Sequence, residues 1–337
     1  MFSAEYSSIN AFLIGASKLL LKKGVRRTAR GKPSVELPFP FLFKIKNPTS
    51  RLILLPERNW KPAGAYAESL WLASGRNDLA LMRPYLKKLT EFSDNGSFIR
   101  GGYGPRLRHY DGSEIDYCID QFYTPNIRAV DQFRFVTDSF KADSQTRRAV
   151  LTIQDPVKDQ FDLSGKLKNT KDFPCTISLQ LIKNSSTNKL DMFVNMRSND
   201  LIWGAGGVNI FNFTFMQEYF SAILGLEIGE YYHCSNCLHF YDHHLDMVKS
   251  LASYDTFKEP PVFIYNKAYR SLEAFDELVK KLLEEVLALR PAMTLAEIPD
   301  FKDDFFNDWY KVLFYKRTSQ LPSFVNPQLR ELFKDLK

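Results

Sequence analysis

The stretch from residue 174 to residue 241 carries side chains that together could do chemistry on a nucleotide. Cys175 supplies a thiol, which becomes a nucleophile when it ionises. Arg197 supplies a guanidinium, whose planar fork of N–H donors suits phosphate. Asn209 supplies a carboxamide that can pair with a base, and His239 and Tyr241 supply polar rings that can reach a ribose. In this order the residues suit attack on C6 of a pyrimidine nucleotide.

The thiol chemistry explains why a cationic neighbour is needed. C5 of a pyrimidine is a poor nucleophile, but a thiolate added at C6 turns the ring into an enolate whose C5 can attack an electrophilic carbon. Nearby arginines lower the pKa of a thiol because they favour its charged form. By composition alone, Cys175 in the run Pro-Cys-Thr-Ile-Ser-Leu-Gln is more often a core residue than a catalyst, so both interpretations stay open at this point.

If Asn209 faces the base, its carboxamide bears on which base is bound. A carboxamide can accept a hydrogen bond from N3–H of uracil and donate one to O4, whereas a carboxylate would suit cytosine. A buried polar group of this kind discriminates strongly, because the wrong base leaves its donors unpaired. Asn209 therefore favours a uracil nucleotide. Asn212 is a competing candidate, with an alternative interpretation as an amide on a helix face.

Hydrophobic periodicity predicts the elements that must position these residues. Helices are predicted over residues 1–24, 63–74, 78–92, 131–140, 208–224, 266–290 and from about 303 to the end. Extended segments are predicted at 33–55, 148–153, 175–182 and 190–196, and a tight loop at 101–104. This order predicts an α/β (α+β) fold in which helices enclose a mixed sheet. We expect a catalytic domain over residues 1–250 and a helical C-terminal extension over 251–337 that packs on the same domain.

Composition narrows the cellular setting. The 337 residues are 45% hydrophobic and 14% aromatic, which indicates an ordered globular protein. The net charge of +6 suits an enzyme of anionic substrates, but it also suits a protein without an anionic partner. Four cysteines are too few for a disulfide scaffold, so a reduced, cytoplasmic protein is predicted. Glu5 and Lys18 argue against a signal peptide, and no segment is apolar enough to span a membrane.

Seven short motifs stand in the order found in the thymidylate synthase family, which the chain resembles over about residues 50–245. In chain order they are Glu68-Ser69-Leu70-Trp71, Tyr103-Gly104, Asp131-Gln132, Thr146-Arg147-Arg148, Pro174-Cys175-Thr176 with Gln180, Arg197-Ser198-Asn199-Asp200, and His239-Phe240-Tyr241. No single motif is decisive, but all of them in one order are hard to produce by chance. On these motifs the chain is identified as a divergent member of that family.

The resemblance implies a fold, an assembly and a reaction. It implies a twisted mixed sheet flanked by helices, a homodimer with shared active sites, and one-carbon transfer from 5,10-methylenetetrahydrofolate to C5 of a pyrimidine nucleotide monophosphate. Cys175 would form the covalent adduct at C6. Glu68 would handle the proton on the O4 side of the base through water, and Tyr103 would help to remove the C5 proton.

The matched positions also imply how the substrate would be held. The implied substrate-binding residues are Arg147, Arg148, Gln180, Arg197, Ser198, Asn209, His239 and Tyr241. Within this set, Arg197 and Ser198 would bind the 5′-phosphate, and Arg147 and Arg148 would reach the phosphate in the neighbouring subunit. The two ring side chains, His239 and Tyr241, would hydrogen-bond the ribose 3′-OH. Asp200, which is not part of this set, would contact the pterin ring of the folate.

Two further patterns could form binding sites, but each also has an ordinary structural explanation. The cysteines and histidines within 233–239 could form a zinc site, but ligands this crowded on a strand point to alternate faces, so no metal is predicted. The basic cluster over 22–32 could bind nucleic acid, but such clusters are more often a solvated face, and no nucleic-acid partner is predicted. Arg27 or Arg30 in this cluster is a candidate for the family's N-terminal phosphate ligand.

The chain also departs from the family pattern. Thr176 stands where the family has histidine, Cys237 replaces an aspartate, and the spacing from Arg197 to Asn209 is one residue longer than usual. The short hydrophobic tail that seals the folate site has no counterpart, nor has the tryptophan that shields the methylene intermediate after Gly75.

Weaker shielding decides which product is expected. Water that reaches the exocyclic methylene gives a hydroxymethyl group, whereas exclusion of water allows hydride transfer and a methyl group. We therefore expect hydroxymethylation, with thymidylate synthesis (reductive methylation of deoxyuridylate) as the alternative. A catalytically reduced homologue that only binds nucleotides or regulates is the second alternative, although the intact Cys175, Glu68 and Tyr103 argue against it.

Overall fold

The computed structural model describes residues 2–29, 31–124 and 128–335. Its strands are β1 Phe2–Tyr6, β2 Val25–Ala29, β3 Lys32–Glu36, β4 Phe41–Ile45, β5 Val150–Thr152, β6 Thr176–Lys183, β7 Leu190–Met196, β8 Asn199–Asp200, β9 Ile228–Ser235 and β10 Leu238–Tyr241. Its helices are α1 Ile9–Lys23, α2 Pro62–Ala73, α3 Leu79–Met82, α4 Tyr103–Arg108, α5 Gln132–Ala142, α6 Pro156–Asp159, α7 Ile210–Ile223, α8 Leu245–Ala252, α9 Leu272–Ala288, α10 Asp304–Thr318 and α11 Pro327–Asp335. Short 3-10 turns lie at Pro56–Arg58, Lys87–Phe92, Asp242–His244 and Leu295–Glu297, and a π-helical segment at Leu201–Asn209.

Two sheets organise the described residues. The larger sheet has the strand order β1-β4-β9-β7-β6-β5, and the smaller has the order β2-β3-β10-β8. In the larger sheet β7 pairs with β9 in parallel and with β6 antiparallel, so the sheet is mixed. Buried and half-buried residues alternate along β9, because successive side chains of a strand point to opposite faces. Helix α7 packs on the buried face against β7 and β9. The predicted α/β class, a mixed sheet flanked by helices, is confirmed.

The C-terminal helices pack against the helix that carries Glu68. Trp309 on α10 is fully buried, and its Nε1 donates a hydrogen bond of 2.8 Å to the backbone oxygen of Tyr66 on α2. Its ring also makes an edge contact with Phe215 on α7, with the centroids 4.7 Å apart. Helix α10 thus supports two elements of the site described below. The division of the chain at residue 250 stays a prediction.

The first predicted helix, over residues 1–24, is wrong at its start. Residues Phe2–Tyr6 form an edge strand that pairs in parallel with β4, and the helix begins only at Ile9. Ser8 causes the change, because its side chain caps the helix by accepting hydrogen bonds from the backbone nitrogens of Asn10 and Ala11.

Prolines explain two other corrections. The predicted helix over 78–92 ends at Met82, and Pro84 separates it from a 3-10 turn, since proline lacks the backbone donor that a helix needs. The predicted C-terminal helix is likewise divided into α10 and α11 by a segment that contains Pro322.

Three further predicted elements differ from the structure. The expected strand over 51–55 is irregular, and the expected loop over 101–104 contains the start of α4. The helix predicted from 266 begins at Leu272.

Among the helices that the structure describes, none combines the length and the apolar character needed to cross a bilayer.

Candidate active site

The thiol of Cys175 lies beside a guanidinium. Thr176, the first residue of β6, pairs with Met196, the last of β7, so the residues on either side of this pair meet. Nη2 of Arg197 is 3.9 Å from the sulfur of Cys175. The same guanidinium donates to the backbone oxygens of Pro174, at 2.9 Å, and Phe173, at 3.1 Å, and these bonds hold it in place. A fixed cation beside a half-buried thiol favours the thiolate.

Tyr103 holds the backbone on which the thiol sits. Its hydroxyl oxygen accepts hydrogen bonds from the backbone nitrogens of Cys175, at 3.3 Å, and Thr176, at 3.1 Å, and it lies 3.1 Å from Oγ1 of Thr176. Thr176 thus occupies part of the space around the thiol where the family has histidine. Burial raises the pKa of Tyr103, and the neighbouring Cys175 raises it further. The phenol therefore stays protonated near neutral pH and acts as a hydrogen-bond donor or acceptor.

Glycine is required next to Tyr103. A side chain at Gly104 would collide with the backbone oxygens of Arg76 and Trp71. The close approach of α4 to the end of α2 therefore explains the Tyr-Gly pair in this motif.

Glu68 on α2 is a carboxyl group with a strongly raised pKa. Burial, and to a lesser extent the charge of Asp172, raise the pKa of Glu68 from 4.5 to about 7, although a hydrogen bond from Asn212 opposes the rise. Asp172 is itself held in place, because its Oδ2 accepts a hydrogen bond of 2.8 Å from the backbone nitrogen of Gly101. A carboxyl group that is close to half ionised at neutral pH can both accept and release a proton.

The structure separates the two candidate base-reading amides. Asn212 is buried on α7, and its Oδ1 accepts a hydrogen bond of 2.8 Å from Oγ of Ser69. Its other contact is with Glu68, so this amide holds the carboxyl group. Asn209 is half-buried, with its Nδ2 3.7 Å from the sulfur of Met196, next to the Cys175 end of the sheet. Asn209 therefore stays the candidate for contact with the base.

The extra residue between Arg197 and Asn209 is absorbed by the π-helical segment. A π-helix closes its hydrogen bonds over one residue more than an α-helix, which gives room for an insertion, and the segment Leu201–Asn209 also kinks at Gly206 before Asn209, which directly precedes α7. Arg58 holds this segment from the side. Its Nε donates to the backbone oxygen of Gly206 at 3.0 Å, and its Nη2 donates to that of Ile202 at 2.6 Å.

The smaller sheet brings the predicted ribose and folate residues together. His239 on β10 pairs with Asp200 on β8, and the rings of His239 and Tyr241 meet edge to face with centroids 5.2 Å apart. Ser198 is half-buried in the bend between β7 and β8, directly after Arg197.

The N-terminal phosphate candidates are only partly described. Arg27 on β2 is exposed, and its Nη1 pairs with Oε1 of Glu36 at 2.7 Å. Arg30 lies outside the described residues.

Arg147, Arg148 and Gln180 lie away from the thiol of their own chain. Both arginines are exposed before β5, and Nε2 of Gln180 donates to the backbone oxygen of Arg147 at 2.9 Å. The backbone nitrogen of Leu181 on β6 donates to the backbone oxygen of residue 149, so Arg148 lies beside that part of β6. Leu181 is six residues beyond Cys175, which along a strand is a distance of about 20 Å. A single chain therefore does not bring these arginines to Cys175.

Two buried polar atoms within the motifs have no hydrogen-bond partner among the described residues. Oδ1 of Asp200 accepts from the backbone nitrogens of Ile202 and Trp203, whereas Oδ2 is buried without a hydrogen-bond partner among the described residues. Nε1 of Trp71, whose ring adjoins Gly102, is also buried and lacks an acceptor within the same ranges. Such atoms are costly unless a ligand satisfies them. A heterocycle with N–H donors, such as a pterin, suits the Asp200 oxygen.

The cysteine and histidine cluster at 233–239 is spread over different environments. His233 is fully buried on the core side of β9, while Cys234 is half-buried on the other side. Cys237 donates to Oε2 of Glu36 at 3.3 Å. Over the described ranges, no group of three or more His, Cys, Asp or Glu side chains is arranged to hold a metal ion.

Comparison with known proteins identifies the family. Residues 16–283 match the family described as "Thymidylate synthase". The chain belongs to the thymidylate synthase family. This membership confirms the resemblance seen in the motifs and classifies the chain as a transferase of this type. The family in general uses methylenetetrahydrofolate as co-substrate.

The chain is similar to several phage enzymes. It is 35% identical over 290 residues to a deoxyuridylate hydroxymethyltransferase of Bacillus phage SP01, an alignment that covers 85% of this chain and 69% of the relative. It is 32% identical over 230 residues to the enzyme of the same name from Pseudomonas phage M6, covering 68% of this chain and 59% of the relative. A thymidylate synthase of Oenococcus oeni is 27% identical over 170 residues, covering 50% of this chain and 46% of the relative. The chain thus spans less than two thirds of the length of the latter two.

Some residues of the site were missed from the sequence. Asp172 stands only three residues before Cys175, yet nothing in its sequence context indicated that its charge would act on Glu68. Arg58 precedes the first motif, and only the folded chain shows that it braces the π-helical segment. Asn199 and His233 were seen as parts of motifs, but their contact with each other crosses two strands and could not be read from spacing.

Proposed function

We propose that this protein transfers a one-carbon unit from methylenetetrahydrofolate to C5 of deoxyuridylate and releases the hydroxymethylated nucleotide. The observation that carries the proposal is the Cys175 sulfur 3.9 Å from the Arg197 guanidinium, in a chain whose relatives include deoxyuridylate hydroxymethyltransferases. Arg197 stabilises the thiolate, and the thiolate adds to C6 of the base. The added electron density makes C5 a nucleophile, and the folate supplies carbon at the oxidation level of formaldehyde.

Glu68 moves the protons that accompany this addition. As the enolate forms, negative charge develops at O4, and the protonated carboxyl group of Glu68 stabilises it through a bridging water. Its pKa of about 7 lets it return to the acid after each cycle. Tyr103 keeps its proton because burial raises its pKa, so it orients the water that removes the C5 hydrogen.

Specific contacts hold the nucleotide and the folate. Arg197 and Ser198 bind the 5′-phosphate, since Nη1 of Arg197 takes no part in the bonds to Phe173 and Pro174. His239 and Tyr241 hydrogen-bond the ribose. The buried Oδ2 of Asp200 accepts from the pterin.

The hydroxymethyl product follows from access of water. Elimination of the folate leaves a methylene group on C5, and hydroxide adds to it if water can enter. The segment from 79 to 92, which follows Gly75, contains no tryptophan to cover that carbon. Addition of hydroxide and loss of the Cys175 sulfur from C6 complete the cycle.

The active enzyme is a homodimer with shared active sites. Arg147 and Arg148 are exposed and about 20 Å along the sheet from Cys175 of their own chain, so they serve the phosphate of a second subunit. A mixture of Cys175→Ala and Arg148→Ala proteins, each inactive alone, tests this arrangement. Random pairing gives one intact site in half of the dimers, so we expect roughly a quarter of the wild-type rate. A mixture as inactive as its components would contradict shared sites.

Product analysis tests the reaction directly. In separate reactions, the protein is incubated with methylenetetrahydrofolate and one of four nucleotides: deoxyuridylate, deoxycytidylate, uridylate or cytidylate. The mass of the nucleotide is then measured by mass spectrometry. We expect deoxyuridylate to gain one carbon, two hydrogens and one oxygen. A gain of carbon and two hydrogens alone would instead establish methylation. No gain in any nucleotide would refute one-carbon transfer.

A further inference from the structure

A single asparagine cannot by itself tell uracil from cytosine. Uracil presents a donor at N3 and an acceptor at O4, and cytosine presents the reverse pattern at the same places. The oxygen and nitrogen of a carboxamide exchange places when the group rotates by half a turn, at almost no steric cost. Asn209 therefore selects uracil only if something else fixes the direction of its amide.

A chain of hydrogen bonds leads from Asn209 into the core. Nδ2 of Asn209 donates to Oδ1 of Asn199 at 3.2 Å. Nδ2 of Asn199 lies 3.1 Å from Nε2 of His233, and Nδ1 of His233 lies 2.7 Å from the hydroxyl of Tyr231. Asn199, His233 and Tyr231 are all at least nine-tenths buried. Water therefore has little access with which to replace any of these partners.

The ring nitrogen of His233 that carries the hydrogen sets the direction of this series of hydrogen bonds. Burial lowers the pKa of His233 to about 3, so the ring is neutral and carries a single N–H. Because Nε2 must accept from Asn199, that hydrogen lies on Nδ1 and faces Tyr231. The opposite tautomer would turn the Asn199 amide around, and Asn209 would have to turn with it.

Packing fixes the members of the chain in place. The ring of His233 stacks on Phe43 with the centroids 4.8 Å apart and the planes 12° from parallel. The backbone nitrogen of Asn199 bonds the oxygen of Cys237 at 2.9 Å. A Cβ atom on Gly204 would lie 2.5 Å from Oδ1 of Asn199 and 3.0 Å from Nδ2 of Asn209, so only glycine allows the two amides to meet here.

We propose that Asn199, His233 and Tyr231 are positioning residues that lock the Asn209 carboxamide in the orientation complementary to uracil. With Nδ2 anchored on Asn199, Asn209 offers Oδ1 to N3–H, and its second amide hydrogen leaves the weak sulfur acceptor of Met196, 3.7 Å away, for O4. Cytosine would place its own donor against the remaining amide hydrogen and its N3 lone pair against Oδ1. This inference rests on the proposed function, because it assumes that Asn209 faces the base.

Binding of deoxyuridylate and deoxycytidylate to three proteins tests the inference. His233→Phe keeps the stack on Phe43 but removes the acceptor, so Asn199 and then Asn209 can rotate. We expect its preference for deoxyuridylate, as the ratio of the two Kd values, to fall about tenfold or more. Asn199→Asp is the matched control. A carboxylate still accepts from Asn209, and His233 can donate to it by protonating Nε2, so this variant keeps the wild-type preference.

The outcomes separate the inference from the proposed function. If folded His233→Phe keeps the wild-type ratio, or if Asn199→Asp loses it as fully as His233→Phe does, the inference is wrong. If His233→Phe does not fold, the nitrogen chemical shifts of His233 in the wild type decide, with hydrogen on Nδ1 expected and hydrogen on Nε2 overturning the inference. A wild-type protein that binds deoxyuridylate selectively but modifies no nucleotide would refute the proposed function alone.

Discussion

Replacing Glu68 with glutamine tests the electrostatics of the site through stability. Asn212 accepts from Ser69 through Oδ1, so its nitrogen faces residue 68, and the oxygen of a glutamine can accept from it as the carboxylate does. The substitution therefore keeps the shape and one hydrogen bond, and removes only the titration.

The size of the effect follows from the pKa of Glu68. A pKa raised by burial from 4.5 to about 7 means that the folded state holds a proton which the unfolded state has lost. Wild-type stability therefore falls as pH rises through this window, and it levels off above the folded pKa. Between about pH 5 and about pH 8 the loss amounts to roughly 2.5 kcal/mol, whereas Glu68→Gln escapes it.

Urea denaturation of both proteins at the two pH values measures this difference. Glu68→Gln should gain stability relative to wild type on going from the lower to the higher pH, and should lose turnover at both. Glu91→Gln, at an exposed site, supplies the control and should follow wild type. If Glu68→Gln and wild type keep a constant difference across the range, Glu68 does not hold a proton near neutral pH, and its assigned role fails.

Three other substitutions test separate parts of the account. Arg197→Gln should slow alkylation of Cys175 by iodoacetamide at neutral pH about tenfold, because the thiolate loses its cation, while Arg26→Gln, with an exposed side chain, should leave the rate unchanged. Cys175→Ala should abolish product formation and leave the free energy of unfolding in urea within about 1 kcal/mol of wild type, since the thiol is only half-buried; residual product would contradict its role. Trp309→Ala should destabilise the fold by about 3–5 kcal/mol in the same denaturation assay, because a fully buried indole is lost, whereas Leu287→Ala, 41% exposed, should cost far less; equal losses would contradict the packing of α10.

The motifs predicted the family, and hydrophobic periodicity predicted most of the elements, because both are local signals. The strands at 190–196 and 176–183 and the helix at 210–223 are regular segments whose hydrophobic pattern is complete within a few residues. Two of the errors lie where a single side chain overrides the pattern. Ser8 starts a helix later than its apolar residues suggest, and Pro84 stops another.

The parts of the site that escaped prediction depend on distant contacts. The departure in spacing before Asn209 left its assignment open between two amides, and only the π-helical segment shows how the extra residue is absorbed. The raised pKa of Glu68 arises from enclosure and from Asp172, more than one hundred residues away in sequence. Local sequence patterns do not predict such distant neighbours, whereas they do identify Cys175 and Arg197 as candidate site residues.

Trapping the covalent adduct tests the central claim most directly. A fluorine at C5 of deoxyuridylate cannot leave as the C5 proton does, so the reaction stalls with sulfur still bound to C6. After incubation with this analogue and methylenetetrahydrofolate, the protein is digested and its cysteine peptides are weighed. The account predicts an adduct on the peptide that carries Cys175 and none in Cys175→Ala. An adduct on the peptides of Cys118, Cys234 or Cys237 instead, or none in a protein that turns over deoxyuridylate, would contradict it.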